Sequence, residues 1–344
     1  MTFHNDPLGI YQGEIWTQSQ CLQQEHSTHE KITSHLSALG YTQTESNRIW
    51  KKGTQTSVVC LVDDIFSCGQ DFRQDLPYLF DRNTRVITDN YLTCPSQYQV
   101  INLPDSFFSI YSYVPAEQIW NPTKDFVFSV NRIDDKRLKL MLELTRSATI
   151  DQGYVNFNCQ IASRRETDPA ILKKQFQQQW AQIDTLEMIN RYKPQYNHLE
   201  SMMPLLNHNL DFETLQLSGI LNIIIETYSS DNNIALSEKI FRALVTPAPW
   251  TVFSGRYTVA YLEKLGFDTM RDIIDHSYYD RLKETENKIN IFIWKSLDII
   301  KNLKSQNFET LQYRCQQAAL HNQALLTQMS QQWPNKFERW LTAL

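Results

Sequence analysis

Several common signatures are missing from this 344-residue sequence. It has no GxGxxG and no GxxxxGK followed by Ser or Thr, which excludes the usual Gly-rich dinucleotide and phosphate cradles. No Asp-x-Asp pair occurs, so the common acidic clamp for a metal-bridged nucleotide diphosphate is absent and no metal site is expected. HExxH and GxSxG are absent as well. The six cysteines, at 21, 60, 68, 94, 159 and 315, form no CxxC and no short Cys/His spacing, so they outline neither a zinc site nor a disulfide framework. A reducing, cytoplasmic setting is expected from that usage. Nowhere do about 18 apolar residues run together, and the start MTFHNDPLGIYQGEIW lacks a basic stretch followed by an apolar one. Neither a spanning helix nor a signal peptide is read.

Positive charge is also in short supply. Lys plus Arg number 33 against 38 Asp plus Glu, a net charge of −5, so no overall positive field points to nucleic acid or an anionic membrane. With 42% hydrophobic and 21% charged residues the composition excludes a disordered chain. At roughly 150 residues per domain, the length suggests two domains with an ample core.

What is present reads as alternating strands and helices. Residues 26–39 carry Ile32, Leu36 and Leu39 at helical spacing, with Gly40 where a helix would stop. The runs 57–62, 85–88 and 99–103 are short, apolar and β-branched, as buried parallel strands are. Pro115 and the segment 120–125 break the pattern and read as a linker. A second α/β unit follows, with strands at 126–130, 154–157, 221–225 and 250–253 and helices near 134–146, 168–190, 237–245 and 257–265. A long helical pattern covers 281–330, and a separate final helix is expected from Pro334 to Leu344. The predicted organisation is therefore 1–120, 121–285 and a C-terminal helical segment 286–344 packing on the body. The aromatic spacing of the last helix, beside Lys336 and Arg339, fits packing or, alternatively, a peripheral position at an inner membrane surface.

The most informative chemistry lies at two predicted strand ends. The strand Leu221–Ile225 ends in Glu226, and after a polar loop Ser237, Glu238 and Lys239 open a helix. A helix N-terminus attracts anions, Lys239 adds a full positive charge, and a carboxylate is a strong acceptor for sugar or ribose hydroxyls. The same residues also read as an ordinary N-cap with a solvated lysine. Upstream, the strand Phe126–Val130 ends in Asn131, and Arg137, a bidentate phosphate binder, follows on the next helix.

In order and spacing these segments resemble the donor-domain motifs of the family 10 glycosyltransferases, the α-1,3/4-fucosyltransferases, and of related bacterial and phage proteins. The matching residues are Phe128-Ser129-Val130-Asn131 with Arg137, Ile224-Ile225-Glu226-Thr227, Ser237-Glu238-Lys239 and Val252-Phe253-Ser254-Gly255. The stretches from Tyr261 to Thr269 and from Ile274 to Asp280 are similar to the phage and bacterial relatives. The likeness covers residues 124–285; Val130, Thr227 and Ser237 depart from the family pattern. It implies a GT-B architecture, two Rossmann-like domains facing a cleft, with a nucleotide-diphosphate sugar as co-substrate and no cofactor. A saccharide or glycolipid acceptor would lie on the N-terminal side, and the reaction would invert the anomeric centre. Donor binding is then expected from Asn131, Arg137, Glu226, Ser237, Glu238 and Lys239.

The general base does not carry over by motif. Asp63 and Asp64, which follow a predicted buried strand, are the candidates, with Asp89 next. His276 and Tyr278 are placed in a loop that could face the cleft. His26, His29 and His35 do not share a helical face and are rejected as a metal cluster. Two other readings stay open: a phage-type enzyme glycosylating DNA bases, which needs a basic salt-sensitive surface, and an inactive nucleotide-binding scaffold.

Overall fold

In the computed structural model the described residues are 119–130, 135–147, 152–157, 186–202, 212–226, 238–283 and 286–343, together with short segments between them and in the N-terminal third. The fold is mixed α/β.

In the N-terminal third, β1 (Thr42–Gln43), β2 (Ile49–Lys52), β3 (Thr56–Leu61), β4 (Arg85–Thr88) and β5 (Gln99–Asn102) form one sheet in that order. The first two pairings are antiparallel; β3, β4 and β5 run parallel, with Val59 beside Val86 and Val86 beside Val100. The helical residues before Gly40 stop as expected. Gly40 has φ 82°, and the N–H groups of Gly40 and Tyr41 return to the carbonyls of Ser37 and Leu36. Only a residue tolerant of the left-handed region closes a helix this way.

A second sheet is wholly parallel. It contains β6 (Lys124–Val130), β7 (Gly153–Phe157), β8 (Gly219–Ile225) and β9 (Trp250–Phe253), in the order β7-β6-β8-β9. Phe126, Val127 and Phe128 in β6, and every residue of β8 except Ile220, are buried. That continuous burial is what a strand covered on both faces requires.

The helices supply the cover. Between β6 and β7 runs α1 (Asp135–Ser147), which packs on α2 (Leu186–Met202); α3 (Phe212–Leu217) leads into β8. Between β8 and β9 runs α4 (Glu238–Val245), followed beyond β9 by α5 (Thr258–Lys264) and α6 (Ser277–Asp280). From β6 the chain steps one way to β7, and from β8 the other way to β9. Right-handed crossovers therefore put α1 and α4 on opposite faces. The chain ends in α7 (Glu286–Lys304), packed on α1 and β8, and α8 (Phe308–Ala343), packed on α4.

The course of α7 is antiparallel to the strands, as three contacts show. Lys288 reaches the carbonyl of Ser254 just past β9, Ser296 meets Thr251 at 3.1 Å, and Lys304 reaches Asp125 at the start of β6. Apolar contact accompanies them: Phe253 meets the edge of Phe292, ring centres 5.4 Å apart.

Two expectations change here. Segment 120–125, read as a linker, is docked at its start: Trp120 is buried, its indole N–H donates to Gly219 O at 2.8 Å, and its carbonyl accepts from Gln312. The apolar bulk of one indole outweighs the polar, proline-containing context. The separate helix from Pro334 is instead the end of α8, which runs unbroken through that proline.

Candidate functional site

Strand order decides where a ligand would sit. In the order β7-β6-β8-β9 the connections reverse direction between β6 and β8, and ligands of open α/β sheets bind outside the carboxyl ends at such a switch point. Phe128 of β6 pairs with Ile223 of β8, so two residues further along Val130 lies beside Ile225 and the strands end together.

Of the predicted donor residues, Glu226 directly follows β8. It is 2% exposed, and its N–H continues the ladder to Phe253 O at 2.9 Å. Arg137, in the first turn of the helix that leaves β6, is also buried. Lys239 is half-buried in the first turn of α4, which returns antiparallel to the strands and so begins on their carboxyl side. One sheet edge thus carries a carboxylate and two cations from three elements. None is a free charge, since each already interacts within the protein. Glu238 opens α4, but its side chain lies outside the described residues, as do Asn131, Ser237, Asp63, Asp64 and Asp89.

The sheet edge holds further groups that the sequence reading missed. Lys288, 1% exposed, donates to Ser254 O at 2.7 Å and lies 5.4 Å from the Phe253 ring centre. Asp280, the last residue of α6, accepts the N–H groups of Val259 and Ala260 at 2.8 and 3.1 Å, capping α5 from about twenty residues away. Burial raises its pKa above the ordinary carboxylate value despite those bonds and the charge of Lys288. No local sequence signal announces such a cap, because the helix's own N-cap position is Tyr257 and gives no side-chain bond.

His276 does not face a cleft. It is 1% exposed, its Nε2 is 2.8 Å from Thr269 O, its Nδ1 meets the Tyr279 hydroxyl, and Trp250 lies against its ring at 4.9 Å. Burial lowers its pKa from 6.5 to about 4, so the ring is neutral and structural. Its neighbour Tyr278 is exposed, with Lys295 Nζ 4.0 Å from the ring centre. Away from the sheet edge, the buried carboxylate of Glu143 bonds Arg146 and, across to α2, Tyr192 at 3.0 Å. Burial alone would raise its pKa, but those bonds and the charges of Arg146 and Arg191 hold it below the ordinary range.

Among the described residues no group of three or more His, Cys, Asp or Glu could hold a metal ion, and no helix is long and apolar enough to cross a membrane. Comparison of the chain with protein-family models, curated proteins and solved structures gives no match.

Proposed function

We propose that this chain is a nucleotide-sugar-dependent glycosyltransferase. In this reading it moves a sugar from a nucleoside-diphosphate sugar to a saccharide or glycolipid acceptor, with inversion and without a metal. The observation that carries the reading is the switch point between β6 and β8, flanked by Glu226 and by the helix bearing Arg137. A diphosphate leaving group needs positive charge where its own negative charge grows, which is the role given to Arg137 and Lys239. Glu226 and Glu238 would accept bonds from ribose or sugar hydroxyls. The order of these residues resembles the family 10 motifs, which is the second support.

The arrangement proposed is GT-B-like, with residues 1–120 on the acceptor side, 121–285 on the donor side and 286–344 as helical cover. One pairing favours it. Strand residues Tyr91 and Leu92, which follow the carboxyl end of β4, pair with Ile234 and Asn233 in the loop after β8. In this reading the pairing turns the carboxyl side of the N-terminal sheet toward the carboxyl side of the second one. Asp63 or Asp64, just beyond β3, would then serve as general base for the acceptor hydroxyl.

The test is a panel of nucleoside-diphosphate sugars offered with saccharide acceptors and, separately, duplex DNA. Acceptor-dependent release of nucleoside diphosphate with a saccharide is expected. Transfer onto DNA, or binding without any release across the panel, would overturn this reading in favour of a DNA-modifying enzyme or an inactive scaffold.

A further inference from the structure

Beyond β9 the chain passes through Ser254, Gly255, Arg256 and Tyr257 before α5 begins. Tyr257 adopts φ 65°, a left-handed conformation that is costly for a bulky side chain and that persists only where the surroundings enforce it. It is held there by its N–H, which donates to Asp280 O at 2.7 Å. The strained residue sets the place of a cation: the Arg256 guanidinium carbon lies 4.6 Å from the Tyr257 ring centre, and Arg256 Nε donates to Arg281 O at 2.9 Å.

That leaves the N–H groups of both Arg256 Nη atoms without a protein partner among the described residues. Arg281 and Lys283, exposed on the same turn, likewise have no carboxylate partner among them. Elsewhere Arg146, Arg271 and Arg314 each pair with a carboxylate. Of the acidic side chains near this turn, Asp280 is committed to the N–H groups that open α5 and is faced by Lys288, and Glu263 pairs with Arg271. An arginine positioned by a stacked ring and a backbone bond presents a fork suited to two oxygens of one phosphate. Its place is the carboxyl edge of the sheet, one strand beyond the β6–β8 switch point.

We propose that Arg256, seated on Tyr257, together with Arg281 forms a phosphate-binding subsite at the carboxyl end of β9. The subsite requires only a phosphate group and stands apart from the sugar-transfer reading, so it is tested without any transfer reaction.

The experiment is calorimetric titration of the full chain with inorganic phosphate. Saturable binding is expected, weakened at least about tenfold in R256Q and in R281Q, partly restored in R256K, and unchanged in R271Q, whose arginine pairs with Glu263. If R256Q loses its fold by melting curve, R281Q, which alters only an exposed side chain, decides alone. Absence of saturable phosphate binding, or equal affinity in R281Q and the parent, would overturn the proposal. A second arm separates the sources of the phosphate. A nucleoside diphosphate that displaces bound phosphate assigns the subsite to a donor's diphosphate; simultaneous binding assigns it to a second, phosphorylated substrate. Both results support the subsite, and loss of sugar transfer would bear on neither.

Discussion

Asn322 and Asp268 hydrogen-bond to each other twice. The side-chain Oδ1 of Asn322 accepts the Asp268 N–H at 2.7 Å, and its Nδ2 donates to Asp268 O at 2.9 Å, as one strand pairs with another. The second Nδ2 hydrogen goes to Leu244 O at 2.9 Å, satisfying a carbonyl that the end of α4 leaves open. One fully buried amide on α8 therefore ties together α4 and the loop beyond α5. Arg314, one helical stretch earlier, forks onto the Asp268 carboxylate with both bonds at 2.8 Å.

Replacing this amide should be expensive. Asn322→Ala leaves two carbonyls and one N–H without their partners, at a cost of about 2–4 kcal/mol. The expected readout is a lower urea midpoint with an unchanged slope. A midpoint equal to the parent's would mean that water replaces the amide at no cost.

Stability should fall in mildly acid solution because of His276. Its pKa is about 4 in the folded chain against 6.5 when exposed, so between those values the unfolded chain takes up a proton that the folded chain refuses. The His276 contribution is complete above pH 6.5 and is lost as pH falls toward about 4, reaching about 3 kcal/mol. The carboxylates of Asp268 and Asp272, held below the ordinary value, act only at lower pH still. Melting curves from neutral pH down should show the slope in the parent and a flatter line in His276→Gln. Parallel lines would place the titration elsewhere.

Gly153 is where a methyl group does not fit. A Cβ there would lie 2.0 Å from Phe126 Cε2, so Gly153→Ala must push a fully buried ring out of its place. A destabilisation of about 1–3 kcal/mol is expected, partly relieved in the double variant with Phe126→Leu. Strict additivity of the two changes would show that the clash is absorbed by backbone movement.

For the proposed reaction, Lys239→Ala should lower kcat/KM by about 2–4 kcal/mol while leaving the melting temperature nearly unchanged, since the side chain is only half-buried. Unchanged turnover would mean that Lys239 serves only its contacts within the protein. Transfer should also persist in excess EDTA, because the sequence offers cations and no Asp-x-Asp for the diphosphate. Complete loss restored by Mn²⁺ would refute that expectation.

Local order in this chain is legible in its residues because it is set by nearest neighbours. The runs 85–88 and 250–253 are strands with the predicted bounds, the helices at 238–245 and 258–264 fall within a residue of expectation, and Gly40 ends its helix. Apolar period, β-branching and a left-handed stop act over a few positions, so a linear reading captures them. Tertiary structure alone settled what depends on meetings across the chain. Strand order put the ends of β6 and β8 side by side; the distant Asp280 capped α5; Trp120 was drawn from an apparent linker onto Gly219; and His276 was carried into the core. Burial is a property of the packed whole, and a histidine in a polar loop carries no local mark of which face of the sheet edge will cover it.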